Sequence, residues 1–156
     1  ISGAHFNPFV SLVMFLRKKI KGNLLKYYIS AQLFGCLLGV MLANTFFEHS
    51  ILELSTKSRD GLNIFISEII ATFGLIFIIF STLKDGKITV AISVATYISA
   101  GYWFTSSTSF ANPAVTIART FTDSFTGINY LNTPTYILAE FIGLILAVYV
   151  LKVIYK

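Results

Sequence analysis

Long apolar stretches separated by short polar connections set the pattern of this 156-residue chain. A bilayer-crossing helix needs about 20 mostly apolar residues. Residues 27–47 carry no charge and predict a first span, and residues 62–83 predict a second, interrupted only by Glu68. No charge occurs from Ile88 to Ala118, too long a stretch for one simple helix, and its second half is rich in Ser and Thr around an Asn-Pro pair. This predicts a third span at 88–104, followed by a separate element at membrane depth. Residues 134–155 predict a fourth span, interrupted by Glu140. The connections at 48–61, 84–87 and 122–133 read as short turns.

Composition agrees with that pattern. Hydrophobic residues make up 55%, charged residues 12%, and mean hydropathy is +0.75. A soluble domain carries about a quarter charged residues, and this chain cannot cover a water-facing surface. Disorder requires low hydrophobicity and high net charge, the opposite balance. Cys36 is the single cysteine, which excludes a disulfide framework. The first residues, Ile1-Ser-Gly-Ala-His, resemble neither a signal peptide nor a natural start, so the chain reads as part of a longer one.

The net charge of +5 does not point to nucleic acid, because the basic residues cluster between spans instead of covering a face. Alternating spans put Arg17, Lys18, Lys19, Lys21, Lys26, Lys84, Lys87, Lys152 and Lys156 on one side, and Lys57, Arg59 and Arg119 on the other. By the positive-inside rule the first side is cytoplasmic. The expectation is a multi-pass protein of the inner or plasma membrane, with the lipid bilayer as its first partner.

Two segments match each other. Ser2-Gly-Ala-His-Phe-Asn7-Pro8-Phe9-Val10-Ser11-Leu12 aligns with Ser107-Thr-Ser-Phe-Ala-Asn112-Pro113-Ala114-Val115-Thr116-Ile117. The spans that follow align too, Tyr28-Ile-Ser-Ala-Gln32 with Tyr136-Ile-Leu-Ala-Glu140. Three spans lie between the copies, and an odd number of crossings inverts the second copy. Asn is a strong helix cap and Pro suits the first helical position. Residues 8–17 and 113–121 therefore predict half-helices, too short to span, entering from opposite faces. Non-helical backbone at that depth is tolerated only where it is buried in protein or lines water. Each half-helix start carries about half a positive charge, which opposes cations at the midplane but not neutral solutes. Asn7 and Asn112 would offer amide donors to a solute oxygen.

These residues resemble the major intrinsic protein family, the aquaporins and aquaglyceroporins. Ser2-Gly-Ala-His-Phe-Asn-Pro resembles the family's first box, and Phe110-Ala-Asn-Pro-Ala-Val-Thr its second; Tyr28–Gly39 and Ser67–Gly74 resemble its third and fourth helices. The resemblance implies an all-α membrane protein, a single channel domain over 1–156. Six helices and two re-entrant half-helices form an inverted repeat, and four pores form a homotetramer. Four full spans are present here, so two more apolar spans are expected upstream. The implied midplane residues are Asn7, Pro8, Asn112, Pro113 and Ala114. The implied outer constriction comprises Ala100, Ser109 and Val115.

Two departures stand out. Phe9 replaces the usual Ala of the first box, and Val115 replaces the Arg that usually narrows the outer constriction. A filter of Val, Ala and Ser is wide and uncharged. It resembles a bacterial branch associated with small neutral solutes, including metalloid hydroxides such as arsenous acid. The expected function is therefore a passive channel for glycerol-like polyols, urea, such hydroxides and water. The alternatives are a water-selective pore or a non-conducting structural membrane protein.

Other polar residues need an account. Glu68 and Glu140 are acids inside spans, where such groups face a cavity or a partner. The resemblance gives Glu68 a structural role, accepting from loop N–H groups, and Glu140 reads either as a structural acceptor or as a protonated acid. His5 reads as a fixed loop hydrogen bond. Arg119, four residues after Val115, either anchors the outer mouth or reaches back to supply part of the missing cation barrier. Asp123 follows at a spacing that permits an ion pair. No metal-ligand cluster, cofactor box, nucleotide loop or catalytic set occurs in the sequence, so neither an enzyme nor a cofactor is expected.

Overall fold

The computed structural model describes residues 2–155, and all regular structure among them is helical. In chain order the helices are α1 (Pro8–Leu16), α2 (Gly22–Phe46), α3 (Leu62–Thr82), α4 (Lys87–Phe104), α5 (Pro113–Ala118) and α6 (Thr133–Ile154). Short 3-10 turns follow α3 at Leu83–Asp85 and α5 at Arg119–Phe121.

Local signals start most of these helices. Asn7 and Asn112 cap α1 and α5 in extended backbone, each followed by proline at the first helical position. Gly61 and Gly86 precede α3 and α4 with φ of 106° and 99°, a region in which a Cβ would clash. α2 begins at Gly22, ahead of the expected residue 27, because nothing in residues 22–26 breaks a helix. Lys26 can carry its charge outward on a flexible stem.

The chain is a multi-pass membrane protein. α2, α6 and α3 with its turn (Leu62–Asp85) are long and apolar enough to cross a bilayer. Over the expected span at 88–104, α4 is one continuous helix of 18 residues, about 27 Å at 1.5 Å per residue, with Thr89, Ser93, Thr96, Tyr97 and Ser99 among its apolar positions. On α2 an i, i+4 stripe of Phe34, Leu38, Leu42 and Phe46 stands 54–70% exposed. Water would penalise such a stripe and hydrocarbon would not.

The chain forms two compact units. The first runs to Arg59 and resumes at Asn112–Ile137; the second comprises Asp60–Ala111 and resumes at Leu138. In the second unit small residues let helices approach closely, as expected where lipid supplies no hydrophobic drive between them. Gly74 on α3 lies under the Tyr97 ring of α4, whose hydroxyl donates to the Ile70 and Ala71 carbonyls at 3.1 Å each. Gly143 on α6 lies against the Ile69 carbonyl and 3.0 Å, from its would-be Cβ, to the Phe73 nitrogen.

The first unit packs α2 against α1 and α5. Its outer connection is more ordered than the expected turn at 48–61. Glu53 N donates to Phe121 O at 3.3 Å, Ser55 N to Thr120 O at 2.9 Å, and Asn129 N to Lys57 O at 2.8 Å. Arg59 donates from Nε to Gly127 O and from Nη2 to Phe125 O, both at 2.7 Å. The segment is a strap laid over the chain that leaves α5. With Ile128 N donating to Arg119 O at 3.2 Å, the carbonyls of 119, 120 and 121 all have partners. Those are the acceptors a helix end leaves unsatisfied, so the strap fixes α5 from outside.

Candidate functional site

The site is built on the two short helices. Asn7 Oδ1 accepts from Phe9 N at 2.9 Å. Asn112 Oδ1 accepts from Ala114 N at 3.1 Å and Val115 N at 3.5 Å. Both carboxamides thus turn their oxygens into the helix starts, satisfying N–H groups that would otherwise be orphaned. α1 and α5 touch, and Asn112 Nδ2 donates to Phe6 O at 2.8 Å. That bond links the second cap to the loop before the first. It also takes one amide hydrogen of Asn112 that the sequence reading offered to a solute. Asn7, Pro8, Pro113 and Ala114 are buried, and Phe9 is half-buried.

The loops entering the two caps share an unusual backbone. Ala4 and Phe6 have φ of 52° and 50°, and Ser109 and Ala111 have 49° and 48°. These are the third and first residues before each asparagine. Non-glycine residues in the left-handed region cost about 1–3 kcal/mol each and persist only where the surroundings hold them. In the second loop Glu68 holds them. Its side chain is fully buried; Oε2 accepts from Phe110 N at 3.3 Å and Oε1 from Ala111 N. Ser107 Oγ accepts from Ser109 N at 3.2 Å.

In the first loop His5 stacks on Tyr28 with centroids 4.6 Å apart, and its Nδ1 lies 3.0 Å from Ser11 Oγ. Gln32 on α2 donates from Nε2 to the same hydroxyl at 2.9 Å. A Ser11 hydroxyl that accepts from Gln32 is free to donate to His5, which puts the imidazole proton on Nε2.

The three constriction candidates fall in different units. Val115 is half-buried on α5 and lines a cavity of about 570 Å³ between α2, α5 and the outer connection. Ala100 and Ser109 belong to the second unit. Ala100 is exposed on α4, and the Ser109 side chain is 3% exposed and packs on neighbouring Gly101. The Ser109 hydroxyl has no hydrogen-bond partner among the described residues. Glu140 is fully buried on α6.

Arg119 lies on the 3-10 turn after α5 and lines the same cavity as Val115. From Arg119 to Asp123 the backbone is not α-helical, because α5 ends at Ala118 and Thr122 is extended. Asp123 instead receives the strap: Thr56 N donates to Oδ1 at 2.7 Å and Thr56 Oγ1 at 3.0 Å. The Thr56 N–H is the main reason the Asp123 carboxyl is held below the ordinary aspartate range. No group of three or more His, Cys, Asp or Glu that could hold a metal occurs among the described residues. The strap and the left-handed residues were not foreseen. The Ser/Thr/Asn-rich outer segments hint at side-chain bonding, but nothing in them names the partner.

A family model described as "MIP: Major intrinsic protein" matches residues 1–98. Aquaglyceroporin AqpS of Rhizobium meliloti (strain 1021) is 41% identical over 152 residues, covering 97% of this chain and 65% of that protein. Aquaporin NIP3-1 of Arabidopsis thaliana is 35% identical over 98 residues, 57% of this chain and 30% of that protein. Aquaporin-4 of Bos taurus is 28% identical over 157 residues, 94% of this chain and 48% of that protein. The chain therefore spans less than two thirds of the length of each of these relatives.

Proposed function

The chain belongs to the major intrinsic protein family, a family of channels, and from that premise we propose that it forms a passive channel for small neutral solutes and water. The observation that carries the reading is the meeting of two Asn-capped half-helices, with the second cap bonded to the loop before the first. Two helix starts brought together place partial positive charge on the path and offer solute oxygens a polar contact. Such an arrangement lowers a barrier to permeation, and the proposed reading is a channel and not an enzyme.

The choice of solute rests on Val115, with Ala100 and Ser109. Small uncharged side chains suit a carbon backbone or a trihydroxide of As(OH)3 type better than they suit single-file water alone. Glycerol-like polyols, urea and arsenous acid are the proposed substrates, and the relative named an aquaglyceroporin supports that class. A homotetramer is the proposed assembly.

Direct uptake of labelled glycerol, urea and arsenous acid into proteoliposomes tests the reading. Uptake of at least one, well above protein-free vesicles, is expected. Water flux without any of them would replace the reading with a water-selective pore, and no flux of any kind with a structural role.

A further inference from the structure

We propose that the turn joining α1 to α2 is a binding surface for the headgroups of acidic phospholipids, held by Lys18, Lys19, Lys21 and Lys26. The proposal concerns the lipid around the protein and does not depend on which solute passes, or on whether any does.

Depth follows from the length of α2. The helix runs for 25 residues, about 37 Å at 1.5 Å per residue, whereas the hydrocarbon core is about 30 Å thick. Its uncharged part, from Tyr27 to Phe46, matches the core by itself. The outer end closes on Phe46 and Phe47, both exposed and apolar. The surplus turn, residues 22–26, therefore falls at the other end, at the level of the lipid phosphates. Tyr27 is 74% exposed there, an aromatic at the boundary where such rings collect. The Phe15 ring lies 3.4 Å from where a Gly22 Cβ would stand, so the end of α1 sits at the same level. Phe15, Leu16 and Leu24 are exposed around this turn, as apolar groups that lipid accepts.

The charge here is concentrated and has no counterpart in the fold. No Asp or Glu occurs before Glu48, and all four lysines are exposed. None of them forms an ion pair among the described residues. Nor does the local backbone favour them. Lys18 N donates to Phe15 O and Lys19 N to Met14 O, both at 2.8 Å, the paired bonds of a Schellman turn. That turn prefers glycine where Lys18 stands at φ 58°, and an apolar residue where Lys19 stands. Lys21 is the cap residue of α2 and makes no side-chain capping bond, and a helix start disfavours cations. Sidedness asks for basic residues near this end of a span, but not at positions that oppose both the turn and the helix dipole. Four ammonium groups at phosphate depth, with no acid of their own, complement a leaflet of net negative charge.

Native mass spectrometry of the protein from mixed micelles tests this by counting bound lipid, with phosphatidylglycerol set against phosphatidylcholine of the same acyl chains. Phosphatidylglycerol should bind about tenfold more tightly or better, since each basic residue near an acidic surface contributes about fivefold. The pair Lys18→Gln with Lys19→Gln, and separately the pair Lys21→Gln with Lys26→Gln, should each reduce that preference. Arginine at the same four positions should keep it, as should Lys57→Gln, which removes an exposed lysine from the outer connection. If one glutamine pair fails to fold, the other decides. Equal binding of the two lipids by wild type, or a preference that survives in whichever pair folds, overturns the proposal. Glycerol 3-phosphate is added as a competitor: displacement of phosphatidylglycerol at equal concentration would make this a site for soluble phosphate esters and overturn the lipid assignment, and no displacement supports it.

Discussion

Replacing Glu68 by Gln isolates the clamp that shapes the second loop. The wild-type carboxylate offers one oxygen to Phe110 N and the other to Ala111 N, in a fully buried site. An amide of the same shape keeps one acceptor and turns an NH2 group toward the second backbone N–H. One bond to a charged group, worth about 1.5–3 kcal/mol, is lost, and a buried donor is left facing another donor at a cost of about 1–3 kcal/mol. Taking about 3 kcal/mol, and about 2–4 °C per kcal/mol for a chain of this size, the melting temperature should fall roughly 6–12 °C. The loop would then relax the left-handed Thr108, Ser109 and Ala111, so solute selectivity should change as well. Thermal unfolding in detergent, paired with glycerol and water fluxes in vesicles, checks both effects. A Glu68→Gln protein with unchanged melting and an unchanged flux ratio would refute the idea that this carboxylate holds the loop.

Further outcomes follow from the same contacts. Val115→Arg adds a guanidinium with five donors to the wall of the cavity that Val115 lines, and on the proposed reading should depress glycerol or arsenous acid uptake far more than water flux; equal loss of both would put the constriction elsewhere. Gly143→Ala should destabilise by about 1–3 kcal/mol, typical of overpacking, and more than Gly74→Ala. The new Cβ at 143 meets α3 backbone, whereas at 74 it meets the end of the Tyr97 side chain, which can move; melting temperatures of the two variants decide it. Because the folded Asp123 carboxyl sits below its unfolded value, its stabilisation is complete above the ordinary aspartate range and disappears as pH falls through the lowered value. Thermal scans from neutral pH down to about 3 should show a loss in wild type that Asp123→Asn lacks.

What was legible in the sequence is what acts locally. An asparagine cap and the proline after it work within three residues, so the starts of α1 and α5 are written at Asn7-Pro8 and Asn112-Pro113. The apolar runs of α2, α3 and α6 likewise need no partner to be read. Contacts between distant segments were not legible. Nothing in Glu53 or Ser55 says that their N–H groups meet the carbonyls of Phe121 and Thr120, and the strap emerges only once those segments are adjacent. The left-handed Ala4, Phe6, Ser109 and Ala111 are opposed by their own Cβ atoms, so a local reading argues against the conformation the loops adopt. The i, i+4 spacing of Arg119 and Asp123 likewise assumes a helix, and the chain leaves the α-helix at Ala118.

On the proposed reading, neutral solute crosses the membrane where the two Asn-capped half-helices meet. Stopped-flow light scattering of proteoliposomes in a glycerol gradient tests it most directly, because shrinkage reports water leaving and the later reswelling reports glycerol entering. Reswelling should be clearly faster than in protein-free vesicles, and should be lost when Asn7 and Asn112 are both replaced by Leu in protein that still inserts. Reswelling no faster than in protein-free vesicles, or unaffected by the double replacement, would contradict it.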